Sequence, residues 1–407
     1  MKNEHFLKHP KDQRFYKTIA LVMGAIGLNT QYWQWFKMPK NVLFRIQRDT
    51  LFITVPMSVI SQTTYLVLNH SKHEFEALSV MYAVLPVTTI VWIKLYSAQT
   101  RSYKLVMENF MTKIHLYNYL TTHENSKYVK KILVEAELFV RWSTFYLVFF
   151  CYASCTGFEI VPIVHNFQKF ESFKNITERL EIIVHFWLPF DYEYNFNNWV
   201  IVQTILFYCG YMCVTIISMF EMINLTCIYH IIGHIKIIKH QIKTSFTNDM
   251  TNEEVTKNII KISRYYNFIT ESLKDVENAF GFNVASIYLH NLIAGGLLIY
   301  HLSMSGTETG TILTYGLMIP LYMGVLIIVS LALEYIRIVA SDIPDLIYDL
   351  HWESMSVTNQ RMLLLVLCQV QPVLEFNAAF NIKTGVQPAI DILKTTFSFY
   401  VMIKSTV

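Results

Sequence analysis

The sequence predicts an all-α membrane protein of seven transmembrane helices, with a cytoplasmic amino terminus and an extracellular carboxyl terminus. Three observations carry that expectation. Only 15% of the 407 residues are charged and 53% are hydrophobic, where a soluble domain carries about 25% charged residues. Windows free of Asp, Glu, Lys and Arg recur at the length a bilayer requires. Lysine and arginine collect in alternate connecting segments.

The opening residues, MKNEHFLKHPKDQRF, are too charged for a secretory signal peptide, so the first span is expected to act as the signal. The apolar stretch 18–28 has about half the length of a span. The aromatic cluster Tyr32, Trp33, Trp35 and Phe36 follows it. We read 18–28 as a short re-entrant or interfacial helix within a cytoplasmic segment 1–49. If it crossed instead, there would be eight helices and the parity of the topology would change.

Crossing the hydrocarbon core takes roughly 20 apolar residues. Six windows meet that need, at 50–68, 77–93, 142–158, 199–220, 280–307 and 309–333. The last two are separated by Glu308, and HLSMSGTETG between them reads as a tight turn. A seventh, 385–403, contains Asp391 and Lys394. The expected order is helices 1–4 over 50–225, a helical anchor over 226–279, helices 5 and 6 over 280–335, a second anchor part over 336–384, and helix 7 over 385–407.

Orientation follows from insertion, which retains Lys and Arg on the cytoplasmic side. The segments before span one and after spans two, four and six hold 25 of these residues, and the opposite set holds five. The sequons at Asn69 and Asn175 fall in segments assigned outside, as candidate glycosylation sites. Six cysteines lie within spans or on the inner side, so none is placed for an extracellular disulfide. Cys151 with Cys155, and Cys209 with Cys213, lie four apart and read as packing residues or, alternatively, a metal pair.

Enzymatic signatures are missing: there is no His-Glu-x-x-His helix and no paired intramembrane aspartates. No cofactor or metal is expected. His230, His234 and His240 read as a solvated cytoplasmic helix face, and His290 and His301 in span five as either functional groups or neutral helix contacts. Inverted topology, with no Asp-Arg-Tyr or Asn-Pro-x-x-Tyr motif, disfavours a G-protein-coupled receptor. No inverted repeat marks a transporter, and a metabotropic receptor would need a cytoplasmic coupling surface.

The last helix is the most informative. At helical spacing Asp391, Lys394, Thr395, Ser398, Met402 and Ser405 share one stripe, with Ile392, Phe397, Phe399, Tyr400 and Ile403 on other faces. A charge in lipid costs at least about 2.5 kcal/mol, so this stripe must face protein or water. Copies of the helix around an axis would line a pore constricted at Met402. Alternatively, the stripe is a seam between helices of one subunit.

The stretch DLHWESMSVTNQRMLLLVLCQVQPV at 349–373, followed by ILKTTFSFYVMIK at 392–404, resembles the end of insect odorant receptors. The matching positions are Trp352, Ser356, Arg361, Gln371, Pro372, Ser398, Phe399 and Tyr400. Asn377, Ala378, Ala379 and Phe380 replace the family's small-residue turn, and Lys394 is unusual. The last-span pattern of gustatory receptors, the nearest alternative, is absent. The chain looks too short for the family's co-receptor.

The resemblance implies a ligand-tuned subunit of an odorant-gated, non-selective cation channel in the plasma membrane of an olfactory neuron, a heterotetramer with the co-receptor. It implies a gate near Met402, Ser405 and Thr406, with Ser398 further in. It also implies a pocket for a small apolar volatile in the outer bundle, for which this chain offers Tyr82, Pro86, Phe149, Tyr152, Thr156, Gln203, Phe207, Tyr315, Met318 and Tyr322. In the implied anchor, Val255, Ile259, Ile262, Tyr266, Ile269 and Leu273 recur at helical spacing, as in a subunit-packing helix.

Overall fold

The computed structural model describes residues 4–28, 42–71, 75–122, 126–168, 179–247, 250–304 and 309–406. Tyr32, Trp33, Trp35, Phe36, Asn175 and the centre of the 301–310 turn lie outside the described residues.

Twelve α-helices are described: α1 Arg14–Ala25, α2 Val42–Asn69, α3 Phe75–Ser97, α4 Arg101–Asn109, α5 Leu116–Thr122, α6 Lys127–Gln168, α7 Phe196–Thr244, α8 Asn252–Met304, α9 Thr309–Ala340, α10 Ile343–Tyr348, α11 Val357–Val370 and α12 Val386–Thr406. Five of the seven expected spans fall within one of these helices, 385–403 begins one residue before α12, and the described part of 280–307 lies in α8. Six of the described helices are long and apolar enough to cross a membrane. The seventh, α12, has 21 residues, and its polar residues lower its apolarity. Residues 18–25 form the end of α1, a 12-residue helix, and 26–28 turn out of it; Tyr16, Ile19, Ala20 and Met23 bury one side of α1 in the core.

Three helices far exceed a bilayer. At 1.5 Å per residue, the 42 residues of α6, 49 of α7 and 53 of α8 run about 63, 74 and 80 Å, against a hydrocarbon core of roughly 30 Å. Their excess projects at one end, the anchor end, where α4, α5, α10 and α11 pack around them. The other end, where the α6–α7 connection lies, is the loop end.

The anchor is a soluble-type core. Ile228, Ile231, Ile235, Ile238 and Ile242 recur every three or four residues along α7 and are all buried. Ile259, Ile262, Tyr266, Ile269 and Leu273 of α8 are buried too, so this stripe is satisfied inside the chain. His230 and His234, expected on a solvated face, are 0% and 2% exposed. His234 bonds the Tyr265 hydroxyl at 2.7 Å and the Ile114 carbonyl at 2.8 Å. Apolar residues surround this part of α7 on every side, which a reading of one helix alone does not show.

The seat of α12 lies on α8. A Cβ on Gly296 would come within 2.6 Å of Phe399, and one on Gly295 within 2.8 Å of Thr396. Only glycine admits this approach. Thr396 Oγ1 donates to the Asn291 carbonyl at 3.2 Å. Gly385 starts α12 at φ +115°, and the Val386 N–H donates to Glu334 Oε2 at 3.4 Å, a carboxylate at a helix amino terminus.

Candidate ligand cavity and polar helix face

A cavity of about 180 Å³ lies among α2, α3, α6, α7, α8 and α9. An apolar cavity of roughly 150 Å³ admits benzene, so the space suits a small molecule of that size class. Along α7 it runs from Leu206 to Glu221, about 22 Å at helical rise. Its walls are apolar, with Val84, Val87 and Ile90 on α3, Phe158 on α6, Ile217 on α7, and Met318, Leu321 and Val325 on α9.

Polar groups interrupt those walls at fixed points. At the floor, Lys94 of α3 and Glu221 of α7 form an ion pair with both side chains 1% exposed. Higher up, Gln203 Nε2 donates to Glu159 Oε2 at 2.9 Å, and Thr88 Oγ1 donates to Gln62 Oε1 at 3.3 Å. His290 of α8 lines the cavity with neither ring nitrogen hydrogen-bonded, its ring edge-on to Tyr322 at 4.7 Å. Asn291 Oδ1 beside it is also unpartnered. Buried polar groups are normally paired, so these are the points where a ligand gains most from a hydrogen bond.

A lid closes the loop end. Val184 and Phe186, in the connection from α6 to α7, line the cavity. Ser61 Oγ donates to the Trp187 carbonyl at 2.7 Å, and the Trp187 N–H returns to the Ser61 carbonyl at 3.2 Å. His185 stacks on Tyr65 at 4.9 Å. Arg179 Nη2 donates to Glu193 Oε1 at 2.5 Å, and His185 Nδ1 lies 3.1 Å from the same oxygen. Burial works to raise the Glu193 pKa, but the bonds and charges of His185 and Arg179 outweigh it and bring it down to about 2.

Of the ten residues expected to form a pocket, Met318 and Tyr322 line this cavity, and Gln203 reaches it through Glu159. Tyr152 and Thr156 tie α6 to α7 through Thr215 and Tyr211, each at 2.7 Å. Tyr315 stacks on His301 at 5.1 Å. Tyr82, Phe149 and Phe207 lie on the exposed face of the chain, and Pro86 is half-buried beside the cavity wall. Asn69 ends α2, with Nδ2 donating to the Tyr65 carbonyl at 2.9 Å. Lys94, Glu159 and Glu221 are not among the expected pocket residues, because the charge-free windows stop at 93, 158 and 220, one residue short of each. The rarity of membrane charges was the signal that finds them.

On α12 the polar stripe lies on the exposed face: Asp391, Lys394, Thr395, Ser398 and Ser405 are exposed and Met402 is 55% exposed. The stripe is therefore not a seam within this chain. Asp391 accepts from Gln387 Nε2 at 3.0 Å instead of pairing with Lys394. Thr395, Ser398 and Ser405 each donate back to a carbonyl of their own helix at 2.8–3.0 Å. Their free lone pairs then face outward. Thr406 belongs to α12.

Among the described residues, His115, Glu137 and His230 in the anchor have the ligand atoms to hold a metal. Their hydrogen bonds argue otherwise. Nδ1 of His115 accepts the Tyr117 N–H at 3.1 Å, and Nδ1 of His230 accepts the Leu116 N–H at 3.3 Å. Each neutral imidazole then carries its proton on Nε2, the nitrogen a metal would need. His115 Nε2 donates to Glu137 Oε1 at 3.0 Å, and the Tyr16 hydroxyl donates to the same oxygen at 3.0 Å. His115 and Tyr16 thus cradle the Glu137 carboxylate, while His230 Nε2 has no hydrogen bond.

The sequence profile described as 7tm Odorant receptor matches residues 74–397. No curated protein matches the chain. The chain is similar to two solved structures of the insect olfactory receptor OR5 from Machilis hrabei. For the complex with eugenol the TM-score is 0.74 at 12% identity, covering 97% of this chain and 98% of that one. For the second the TM-score is 0.75 at 10% identity, covering 96% and 97%. At such identities the structural likeness speaks for the fold alone.

Proposed function

This chain belongs to the odorant receptor family, and from that premise we propose that it is a ligand-tuned subunit of a ligand-gated, non-selective cation channel. It is a receptor and not an enzyme. In this reading the amino terminus and the anchor are cytoplasmic, and the carboxyl terminus is extracellular. The chain assembles in the plasma membrane of an olfactory neuron as a heterotetramer with the family's co-receptor.

The observation that carries the channel reading is the face of α12. Its apolar side is seated on the glycines of α8, while Asp391, Ser398, Met402 and Ser405 point away from the chain. An exposed polar stripe on a membrane helix has to meet water or another subunit. Outward hydroxyl lone pairs suit a cation path. Met402, Ser405 and Thr406 then form the gate at the outer end, with Ser398 further in.

The cavity is the ligand site. Its size and apolar walls suit a small volatile, and the relative holding eugenol supports a ligand of that size. Ligand binding shifts the pore only by its differential affinity for the open arrangement. The path is short, since α8 carries both His290 at the cavity and Gly295–Gly296 under α12. Whole-cell current during pulses of small esters, aldehydes, phenols and terpenes, with and without the co-receptor, tests the reading. A rapid cation current that needs both chains supports it. Silence with both chains at the surface, across a broad panel, overturns the channel assignment.

A further inference from the structure

A second cavity, in the anchor, has the opposite character. It measures about 790 Å³, and Lys113, from the turn after α4, lines it together with Lys257, Lys261 and Arg264 of α8. No carboxylate lines it. The three α8 cations fall at i, i+4 and i+7, one helix face. Like charges so spaced repel. Nearby Lys236 and Lys239 are paired with Glu135 and Asp342, whereas these four have no ion-pair partner among the described residues.

The floor adds two independent features. Tyr119 and Tyr265 stack at 4.9 Å. Gln241, 4% exposed, donates through Nε2 to the Tyr119 hydroxyl and leaves Oε1 with no hydrogen bond. Four unpaired cations, an aromatic platform and a buried acceptor are together complementary to a molecule carrying several phosphates and a ring with hydroxyl donors.

Position decides between a lipid headgroup and a free molecule. The apolar part of α8 begins near 280, so Arg264 and Lys257 lie 16 and 23 residues beyond it, about 24 and 35 Å along the helix. The polar layer of a bilayer is roughly 5–8 Å deep on each side, which leaves the cavity out of its reach.

We propose that this cavity binds a soluble organic polyphosphate, of the inositol polyphosphate or nucleoside triphosphate class. Its phosphates bridge Lys113 to the α8 cations, and a ring hydroxyl donates to Gln241 Oε1. Occupancy clamps the α4–α5 turn to α8, the helix that also reaches the cavity in the bundle. The inference stands independently of the channel reading.

The test is binding of labelled inositol trisphosphate, which keeps three free ring hydroxyls, and of ATP to the purified full-length chain in detergent at physiological salt. Charge-assisted bonds are the strong ones in such a site, so K257Q/K261Q/R264Q is expected to weaken binding of at least one probe tenfold or more. The charge-matched control K11Q/K17Q/K127Q, three exposed lysines elsewhere, is expected to change it less than about twofold. Gln241→Leu is expected to weaken whichever of these hydroxyl-bearing probes binds while leaving inorganic triphosphate unchanged. Equal losses in both triple variants, no saturable binding of either probe, or binding only to phosphoinositide vesicles would each overturn the proposal. Size-exclusion elution at the native position confirms that each variant is folded.

Discussion

Lys94 and Glu221 join α3 to α7 at the floor of the bundle cavity, and neither side chain reaches bulk solvent. Removing one member of such a pair strands a buried charge, at a cost of roughly 3–5 kcal/mol. Lys94→Met and Glu221→Leu are each expected to lower the melting temperature in detergent markedly. The double variant should recover most of the loss, because two apolar side chains leave no charge behind. A double variant as unstable as the worse single one would show that the pair does not act as a unit.

Tyr322 and Met402 separate recognition from conduction. Tyr322 lines the cavity and Met402 lies on the exposed face of α12. Tyr322→Ala is expected to shift the ligand concentration for half-maximal current about tenfold or more, as the loss of a packed aromatic does, with ionic selectivity unchanged. Met402→Ala should alter conductance or selectivity and leave the ligand rank order intact. Concentration–response curves and reversal potentials of the two variants decide the matter.

His290 should set ligand chemistry. Both ring nitrogens are buried and unpartnered beside the cavity, so His290→Phe is expected to weaken ligands with a hydroxyl or carbonyl relative to hydrocarbons of the same shape. Matched pairs such as a phenol and its deoxy analogue provide the measurement. An equal loss for both members would assign His290 to packing.

The lid gives a pH expectation with a definite sign. Glu193 ionises at about 2 when folded, below its ordinary range, so its stabilising effect is full above the unfolded carboxyl pKa of about 4.3. It is lost only as pH falls toward 2. Lid contacts should therefore persist at pH 5, and Glu193→Gln should mimic strong acid, speeding hydrogen exchange across 180–195.

In the anchor the reasoning concerns a base. Burial, aided by the charges of His9 and His234, lowers the His115 pKa to about 3. The unfolded chain takes up this proton near 6.5 and the folded chain does not. This contribution is complete above about pH 6.5 and falls as pH drops toward 3. His115→Gln should flatten the fall in melting temperature between pH 7 and 5.

The spans were legible because a bilayer imposes length and apolarity on a contiguous stretch, which is a property of sequence. Pairing across helices is not. Cys151, Cys155, Cys209 and Cys213 were visible as two i, i+4 pairs, and all four line one cavity as free thiols. Which wall they build depends on how α6 meets α7. Tyr82, Phe149 and Phe207 failed to reach the cavity for the same reason: an aromatic in a membrane helix suits lipid as well as a pocket. The stripe on α12 was legible because period alone defines it. The anchor residues 101–122 carry only a weak pattern in sequence because their helices are short, although Leu116 and Ile114 are as buried as any residue in the spans.

α8 is one unbroken helix of 53 residues, and it meets the anchor cavity at Lys257, the bundle cavity at His290 and α12 at Gly296. A helix advances about 100° per residue, so inserting or deleting a single amino acid between 265 and 286 would turn its two halves out of phase. Either His290 and the glycines, or the anchor face, would then point the wrong way. Among divergent copies of such a gene, this stretch should keep its length more strictly than its letters.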